Sequence, residues 1–502
     1  MEKVRATDTG LLADALMAAG CFVPMPCRGR HTCGKCMVYV AGAGEPPGPD
    51  EAALLARLPQ PEMPGYARRL ACLAHIEGEV SVITSSIAGV VVAPAEMDLV
   101  TYDGDAPAAL GCAVDIGTTT VTVLLFRLGD HELLADASQL NHQTAHGSDV
   151  LSRIDAASRV GVDVLQGLIV DQVGGMIAET LERAGALPAD ISRITITGNT
   201  TMLHLLTGRP VASLGVSPFT PDTLFGLTQP AADMFAELGN AELYLPPGIS
   251  TYVGPDIICG LLATGLGRES SPELLVDVGT NGEMALAASD RLLCCSTAAG
   301  PAFEGAEISS GMPALPGAID DVWVDDGRLA YSTIASKRPR GLCGTGLIAA
   351  VDTLLDLGVI SSTGAMDTPS VAIGDSGIML TQADVRKLQL AKAAIAAGID
   401  TLLSEANLAP SDVGRMHLAG GFGSYLNPGP AAGIGMIPAA IAARAEPSGN
   451  TALSGAVMLT LSNGARLAAE RQARAATEVG LATNPVFMQQ YIERMGFRGD
   501  DD

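Results

Sequence analysis

The sequence predicts a multidomain chain of the α/β and α+β class, and three observations carry that reading. Five of the ten cysteines fall within the first 72 residues, three of them around a short glycine-containing loop. An apolar strand that runs into Asp, then Gly, then a hydroxyl side chain occurs twice, roughly 160 residues apart. A third glycine cluster closes an apolar strand near residue 420. The 502 residues allow three or four domains. With 48% hydrophobic and 17% charged residues the chain can build packed cores, which excludes disorder throughout. Its 58 glycines exceed the usual share of ~7% and point to tight turns and close backbone approach to a ligand.

Thirty basic residues against 55 acidic ones leave a net charge of −25. That excludes nucleic acid as a partner, because phosphate neutralisation needs a basic face; a local site for a small phosphate is not excluded. Met1 to Asp14 is mixed and charged, unlike a secretory leader. The longest uncharged run, residues 416–443, contains three prolines and six glycines and predicts turns and short elements in place of a membrane helix. The expectation is a cytoplasmic chain without a membrane span, in which ten cysteines serve as metal ligands or buried thiols.

Cys27, Cys33 and Cys36, spaced x5 and x2, are followed by Cys72 after 35 residues. Three thiolates in a tight loop plus a remote fourth wrap a [2Fe–2S] cluster, with the loop N–H groups facing the sulfides. Structural zinc prefers two C-x2-C pairs, and only one is present. The x5 gap resembles the hydroxylase-type ferredoxins. Cys21 reads as a buried small hydrophobe, and His31 and His75 as surface or hydrogen-bonding residues. Around the loop a β-grasp domain is predicted over residues 1–86, with a helix at 10–20 and strands at 36–40 and 79–84. Only Lys3 to Thr7 could supply a first strand, so that strand is expected to be short or missing. Residues 87–110 read as a linker.

In GCAVDIGTTTVTVLLF, residues 111–126, Asp115 precedes Gly117, Thr118, Thr119 and Thr120 at the tip of a hairpin. In LLVDVGTNGEMAL, residues 274–286, Asp277 precedes Gly279, Thr280, Asn281 and Gly282. Such tips bring N–H and hydroxyl groups to phosphate oxygens, with the Asp placed to hold hydrated Mg2+. The repeat resembles the two phosphate motifs of the actin, sugar kinase, Hsp70 and acetate kinase superfamily. That resemblance implies two ribonuclease-H-like lobes, at 111–270 and 271–502, around a nucleotide cleft. The adenosine loop it implies is HLAGGFGSYLN, with Gly420, Gly421 and Gly423 at the strand end. No G-x-x-x-x-G-K-[ST] is present, so a P-loop is not supported. Gly344, in LCGTG, reads as a helix-opening turn lining the cleft. Asn199, in TGNTTMLHLL, reads as part of a strand–turn–helix wall. Thr381 to Asp384 forms a capping box before an amphipathic helix through Leu402, whose Lys387 and Lys392 are expected in solvent. Asn450 opens a glycine-containing helix, and Cys112, Cys259, Cys294, Cys295 and Cys343 read as structural.

The combination resembles the reductive activators of corrinoid proteins found in methyl-transfer systems. The pieces that carry the resemblance are CRGRHTCGKC, AVDIGTTTVTV, NHQTAHGSDVLSRI, TGNTTMLHLL, VDVGTNGEM, AAGPAFEGAEISSGM, LCGTG, LTQADVRKLQLAKAAI and HLAGGFGSYLN. His142 stands where proline is expected, and the ferredoxin and linker regions are shorter than usual. The resemblance implies an ATP-hydrolysing reductase that uses a [2Fe–2S] cluster, ATP and Mg2+. Cys27, Cys33, Cys36 and Cys72 would carry the electron, and Asp115 and Asp277 would organise Mg2+ and the attacking water. The partners implied are a corrinoid protein, returned from cobalt(II) to cobalt(I), and an upstream electron donor; a homodimer is also compatible. A one-electron gap of 100 mV costs about 2.3 kcal/mol, whereas nucleotide binding at micromolar affinity supplies roughly 8 kcal/mol. The alternatives are an activator of 2-hydroxyacyl-CoA dehydratase type, a non-redox cobalamin reactivase chaperone and a small-molecule kinase. The four clustered cysteines argue against all three.

Overall fold

The computed structural model describes residues 2–18, 36–44, 46–56, 63, 65–84, 100–147, 149–239, 241–305, 307–312, 314–423 and 425–497. Cys21, Cys27, His31 and Cys33 lie outside them, as does most of the expected linker. Two compact units result, Met1–Leu266 with Asn450–Glu478, and Gly267–Gly449 with Val479–Asp502.

The first unit begins with a four-stranded sheet of β1 (Glu2–Leu11), β2 (Met37–Gly44), β3 (Ala67–Leu70) and β4 (His75–Thr84), in the order β1-β4-β2-β3. Every pairing in it is antiparallel. The helix Leu12–Ala18 packs Leu12, Ala13, Ala15 and Leu16 onto Val38, Val40, Ile76, Val80 and Val82, the alternate positions of β2 and β4. The first strand is neither short nor missing. It pairs with β4 from Glu2↔Thr84 to Leu11↔His75, so a full-length partner overrides the weak strand propensity of Asp8 and Gly10. A helix absent from the sequence reading, Pro49–Leu55, supplies Glu51. Its buried carboxylate takes Arg69 Nε at 2.9 Å, Arg69 Nη2 at 3.1 Å and the Leu70 N–H at 2.7 Å. This charge-assisted fork fixes the chain two residues before Cys72.

The remainder of the first unit is a mixed sheet. Its strands are β5 (Leu110–Ile116), β6 (Thr120–Arg127), β7 (Leu133–Leu140), β8 (Ile191–Gly198), β9 (Leu227–Pro230) and β10 (Glu242–Leu245). Their order is β7-β6-β5-β8-β10-β9. β5 pairs antiparallel with β6 and parallel with β8. β5 is buried almost throughout, as a central strand should be. Val162–Ala184 covers the sheet through Leu165, Ile169, Val173 and Ile177. Thr451–Leu461 also belongs to this unit and is buried along its whole length. A Cβ on Gly455 would stand 2.2 Å from the Cys259 carbonyl oxygen, so this helix and Pro255–Thr264 meet backbone to backbone.

The second unit repeats the plan. It contains β11 (Glu273–Val278), β12 (Gly282–Ala288), β13 (Arg291–Thr297), β14 (Ala318–Asp325), β15 (Arg328–Thr333), β16 (Gly341–Leu342), β17 (Ser370–Ala372), β18 (Met379–Thr381), β19 (Arg415–Ala419) and β20 (Ala445–Gly449). The run β13-β12-β11-β19-β20 matches β7-β6-β5-β8-β10, with β11 antiparallel to β12 and parallel to β19. This is the mixed α/β order expected of actin-like lobes. The helix Gln382–Ala406 opens on the expected capping box, with Thr381 Oγ1 accepting from the Asp384 N–H at 3.2 Å. Lys392 is not in solvent: it is buried, lies 5.4 Å over the Phe497 ring, and donates to the Gly496 carbonyl. The C-terminal segment that covers it carries no sequence signal of doing so. Residues 416–443 form β19 and the short helices Gly420–Gly423, Pro428–Gly433 and Ala439–Ala442, as the turn residues require. Among the described residues no single helix is long and apolar enough to cross a membrane.

Gly455→Ala is expected to lower stability by about 1–3 kcal/mol, the usual cost of overpacking. Gly175→Ala, exposed in Val162–Ala184 with nothing within 4 Å of its Cβ position, should raise it by about 0.5–1 kcal/mol. Paired urea melts check both signs.

Candidate functional site

The first hairpin is closed by the Gly117 N–H, which donates to the Thr120 carbonyl at 2.9 Å. A Cβ on Gly117 would lie 2.8 Å from that oxygen, so the turn demands glycine. Asp115 sits near the end of β5 and accepts from Asn450 Nδ2 at 2.8 Å. Burial pushes its carboxyl up to about 6, against the opposing effect of that hydrogen bond. Asp256, second residue of Pro255–Thr264, is held above the usual carboxylate range by burial first and by the charge of Asp115 second. Asn199 caps Thr200–Leu206 by accepting from the Met202 N–H at 3.0 Å, and its Nδ2 donates to Thr118 Oγ1 at 3.2 Å. A Cβ on Gly198 would lie 2.6 Å from the Ile116 carbonyl oxygen, and one on Gly254 would lie 2.8 Å from Asn199 Cα. The ends of β5 and β8 and the starts of two helices therefore gather at this hairpin.

Asp115, Gly117, Thr118, Thr119, Thr120 and Asn199 are thus brought together. Asn141, Arg153, Asp256 and Asn450 join them and were not among the expected site residues. The motif NHQTAHGSDVLSRI contains the first two and carried the resemblance without giving either a role; Gly-Pro-Asp at a helix start is the only local sign of Asp256.

In the second unit β11 and β12 are joined through Gly279, Thr280 and Asn281, with the Gly279 N–H donating to the Asn281 carbonyl at 2.9 Å. Thr280 Oγ1 donates to Glu304 Oε1 at 2.7 Å, and the Gly300 N–H donates to the Thr280 carbonyl at 2.9 Å. Gly420 has φ +87° and a Cβ there would stand 2.3 Å from Asp277 Oδ1, which places the glycine cluster directly on the Asp. A Cβ on Gly344 would meet the Phe303 carbonyl oxygen at 1.9 Å and Phe422 Cε2 at 2.6 Å. Gly344 opens Gly344–Asp356, as expected, and the Phe303 and Phe422 rings stack beside it at 5.1 Å. Gly421 is exposed, and Gly423 is buried near the Leu418 backbone. Gly282 has a packing reason of its own, because a Cβ there would reach within 2.1 Å of Ile395 Cδ1.

Of the four expected cluster ligands, Cys36 and Cys72 are described. Their sulfurs lie 3.2 Å apart and both residues are buried. The Ala71 N–H donates to the Cys36 carbonyl at 2.9 Å, which ties the two chain segments beside the sulfurs. Two buried soft donors converging from turns 36 residues apart fit a thiolate-held iron–sulfur group. The five remaining described cysteines are all buried; burial pushes the Cys112 thiol up to about 12.

Two family models match the chain. Residues 110–269 match the RACo middle region, and residues 271–502 match the C-terminal domain of RACo, the ASKHA domain. The corrinoid activation enzyme RamQ of Eubacterium limosum is 32% identical over 422 residues, covering 78% of this chain and 70% of that protein. The [Co(II) methylated amine-specific corrinoid protein] reductase of Methanosarcina barkeri is 29% identical over 386 residues, covering 70% of each. A solved structure, described as a reductive activator for corrinoid, iron-sulfur protein, superposes with a TM-score of 0.71 at 27% identity. It covers 98% of this chain and 96% of its own.

His417, on β19 three residues before the glycine cluster, donates or accepts at Ser448 Oγ through Nδ1 at 3.1 Å, while its buried Nε2 has no partner among the described residues. Burial first, and Arg415 second, depress its pKa to about 4. A folded value below the unfolded ~6.5 means that the neutral ring's contribution is complete above pH ~6.5 and is lost as pH falls towards 4. At pH 5 the loss is about 2 kcal/mol. His417→Asn is expected to flatten this acid limb; urea midpoints at pH 7 and pH 5 that fall equally in both proteins would refute it.

Proposed function

The chain belongs to the RACo family of corrinoid-protein activators, and on that premise we propose that it is an ATP-hydrolysing enzyme that reductively activates a corrinoid protein of a methyltransferase system. The observation that carries the reading is a repeated strand order with an Asp-Gly-Thr hairpin at the same place in each unit, on one chain with a converging cysteine pair. The relatives' names favour this over dehydratase activation, a non-redox chaperone role or small-molecule phosphorylation.

Cys27, Cys33, Cys36 and Cys72 would hold a [2Fe–2S] cluster, which when bound supplies the single electron that returns the partner's cobalt(II) to cobalt(I). An upstream electron donor replaces that electron. The N-terminal sheet serves as the ferredoxin-like part. Its Glu51–Arg69 fork and the Ala71–Cys36 hydrogen bond hold the Cys36 and Cys72 sulfurs inward, away from bulk water.

For the nucleotide, Gly117, Thr118, Thr119 and Thr120 present N–H and hydroxyl donors to phosphate oxygens in the first unit. Gly279, Thr280, Asn281 and Gly282 do so in the second. Asp115 and Asp277 serve Mg2+ and the attacking water, each held at the end of the central strand of its own sheet. Asn450 Nδ2 orients the Asp115 carboxylate, and the backbone of Gly420 packs against Asp277. Gly421, exposed and with nothing within 4 Å of its Cβ position, leaves room for the purine, while Gly344, Gly420 and Gly423 allow the close backbone packing that shapes the loop beside it, and Asn199 holds the Thr118 hydroxyl in place.

The test is anaerobic. Reduced protein is mixed with a cobalt(II) corrinoid protein, with and without MgATP, and cobalt(I) absorbance is followed. Cobalt(I) should form only with MgATP, vanish in Cys33→Ala, and slow at least about tenfold in Asp277→Asn. Equal cobalt(I) without nucleotide, or none despite bound iron and ATP hydrolysis, would overturn the reading.

A further inference from the structure

The segment Asn141–Ile154 matched no chemistry at the sequence level, yet two of its side chains grip the first hairpin. Asn141 and Arg153 are both fully buried. Asn141 Nδ2 donates to the Gly117 carbonyl at 2.9 Å, and its backbone N–H donates to the Thr119 carbonyl at 2.8 Å. Between them, Arg153 Nη2 donates to the Thr118 carbonyl. Three consecutive carbonyls of the Gly-Thr-Thr tip are therefore taken up by two residues. Both residues reach the tip from the same side, because Asn141 Nδ2 lies 3.9 Å and Arg153 Nη1 3.0 Å from the same Met202 sulfur.

A trans peptide is planar and sends its N–H opposite to its C=O. Anchoring the Gly117 and Thr118 carbonyls towards Asn141 and Arg153 thus turns the Thr118 and Thr119 N–H groups to the other side. Two successive N–H groups aimed the same way form an anion-binding concavity. A guanidinium suits the task because its donors diverge in a fixed plane. Arg153 Nε donates to the Gly147 carbonyl at 3.0 Å and Nη1 to Gln143 Oε1 at 3.4 Å, so the group that holds Thr118 is itself held. A lysine, with a single nitrogen on a flexible stem, could not make these contacts together.

We propose that Arg153, with Asn141, is a positioning residue of the nucleotide site: by holding the Gly117, Thr118 and Thr119 carbonyls it aims the hairpin's N–H groups at the phosphates. This rests on the reading that the hairpin binds nucleotide phosphate. Arg153 holds the loop through the Thr118 carbonyl, so its effect is on how well the donors are preorganised.

Titration of the full wild-type chain with MgATP is the reference, and no binding there would bring down the nucleotide reading and this inference together. With wild-type binding in hand, Arg153→Met and Asn141→Asp should each weaken MgATP at least about tenfold, well below the melting temperature. Asn141→Asp keeps the acceptor for the Gln143 N–H at 2.9 Å and replaces the Nδ2 donor, which reaches Gly117 and the Met202 sulfur, by an acceptor oxygen. Arg153→Lys should fall between wild type and Arg153→Met. A merely structural role would lower the melting temperature and leave MgATP affinity unchanged, and folded variants behaving so overturn the inference alone. If the variants do not fold, hydrogen exchange on the wild type decides. MgATP must protect the Thr118 and Thr119 amides, and unchanged exchange there overturns the proposal.

Discussion

Everything chemical in the two larger sheets depends on one pairing constraint. A central strand is antiparallel to its hairpin partner on one side and parallel to a later strand on the other. Asp115 lies opposite both Thr122 and Thr197, and Asp277 opposite both Glu283 and Ala419. Parallel pairing brings the carboxyl ends of two strands together, and the hairpin turns back at that same edge. A slip of one residue would carry each Asp to the opposite face of its sheet. The register is secured by the buried apolar runs before each Asp, Cys112 to Val114 and Leu274 to Val276, which have no alternative solvated face.

The repeat is one of topology, and the side chains that stabilise each turn differ. In the first hairpin the tip carbonyls are taken by Asn141 and Arg153, and the Thr118 hydroxyl by Asn199. In the second, the Thr280 hydroxyl goes to Glu304 and the Thr280 carbonyl to the Gly300 N–H. One turn is thus held by a cationic side chain and the other by an anionic one. Buried polar networks of this kind are stable only when their members are mutually satisfied, and they rigidify what they hold.

What the sequence disclosed follows from the range of the interactions involved. The hairpins, the capping box at Thr381 and the strand–turn–helix at Asn199 are written in contiguous residues, and the structure has them where the text puts them. β1 was underestimated because its length is set by β4, some seventy residues away. Lys392 looked like an ordinary exposed lysine on an amphipathic helix. The Gly496 carbonyl and the Phe497 ring bury it from a segment a hundred residues on. Arg153 and Asp256 were illegible for the same reason, since their partners at Thr118 and Asp115 are distant in the chain. The glycines show the converse limit. Gly117 and Gly420 are required by the turn and by Asp277, whereas Gly282 and Gly455 answer to helix packing, and nothing local in the sequence separates the two kinds.

The carboxylates of the first unit bear on why such a site is kept. Asp115 and Asp256 are half-buried near each other; desolvation raises the cost of ionising both, and the charge of Asp115 adds to it at Asp256. A well-packed amide or apolar pair would remove that cost, which Asn450 Nδ2 at Asp115 and the Ile257 N–H at Asp256 offset only in part. A fold selected for stability alone has no use for the pair. Strongly perturbed carboxyls beside a phosphate-shaped turn are instead what a cation-dependent reaction requires, because their charge becomes favourable once an opposite charge arrives. On the proposed reading, the first unit carries an electrostatic strain that is relieved when Mg2+ and nucleotide bind. That relief is a differential interaction between the empty and loaded states, which any nucleotide-driven change in the protein must draw on.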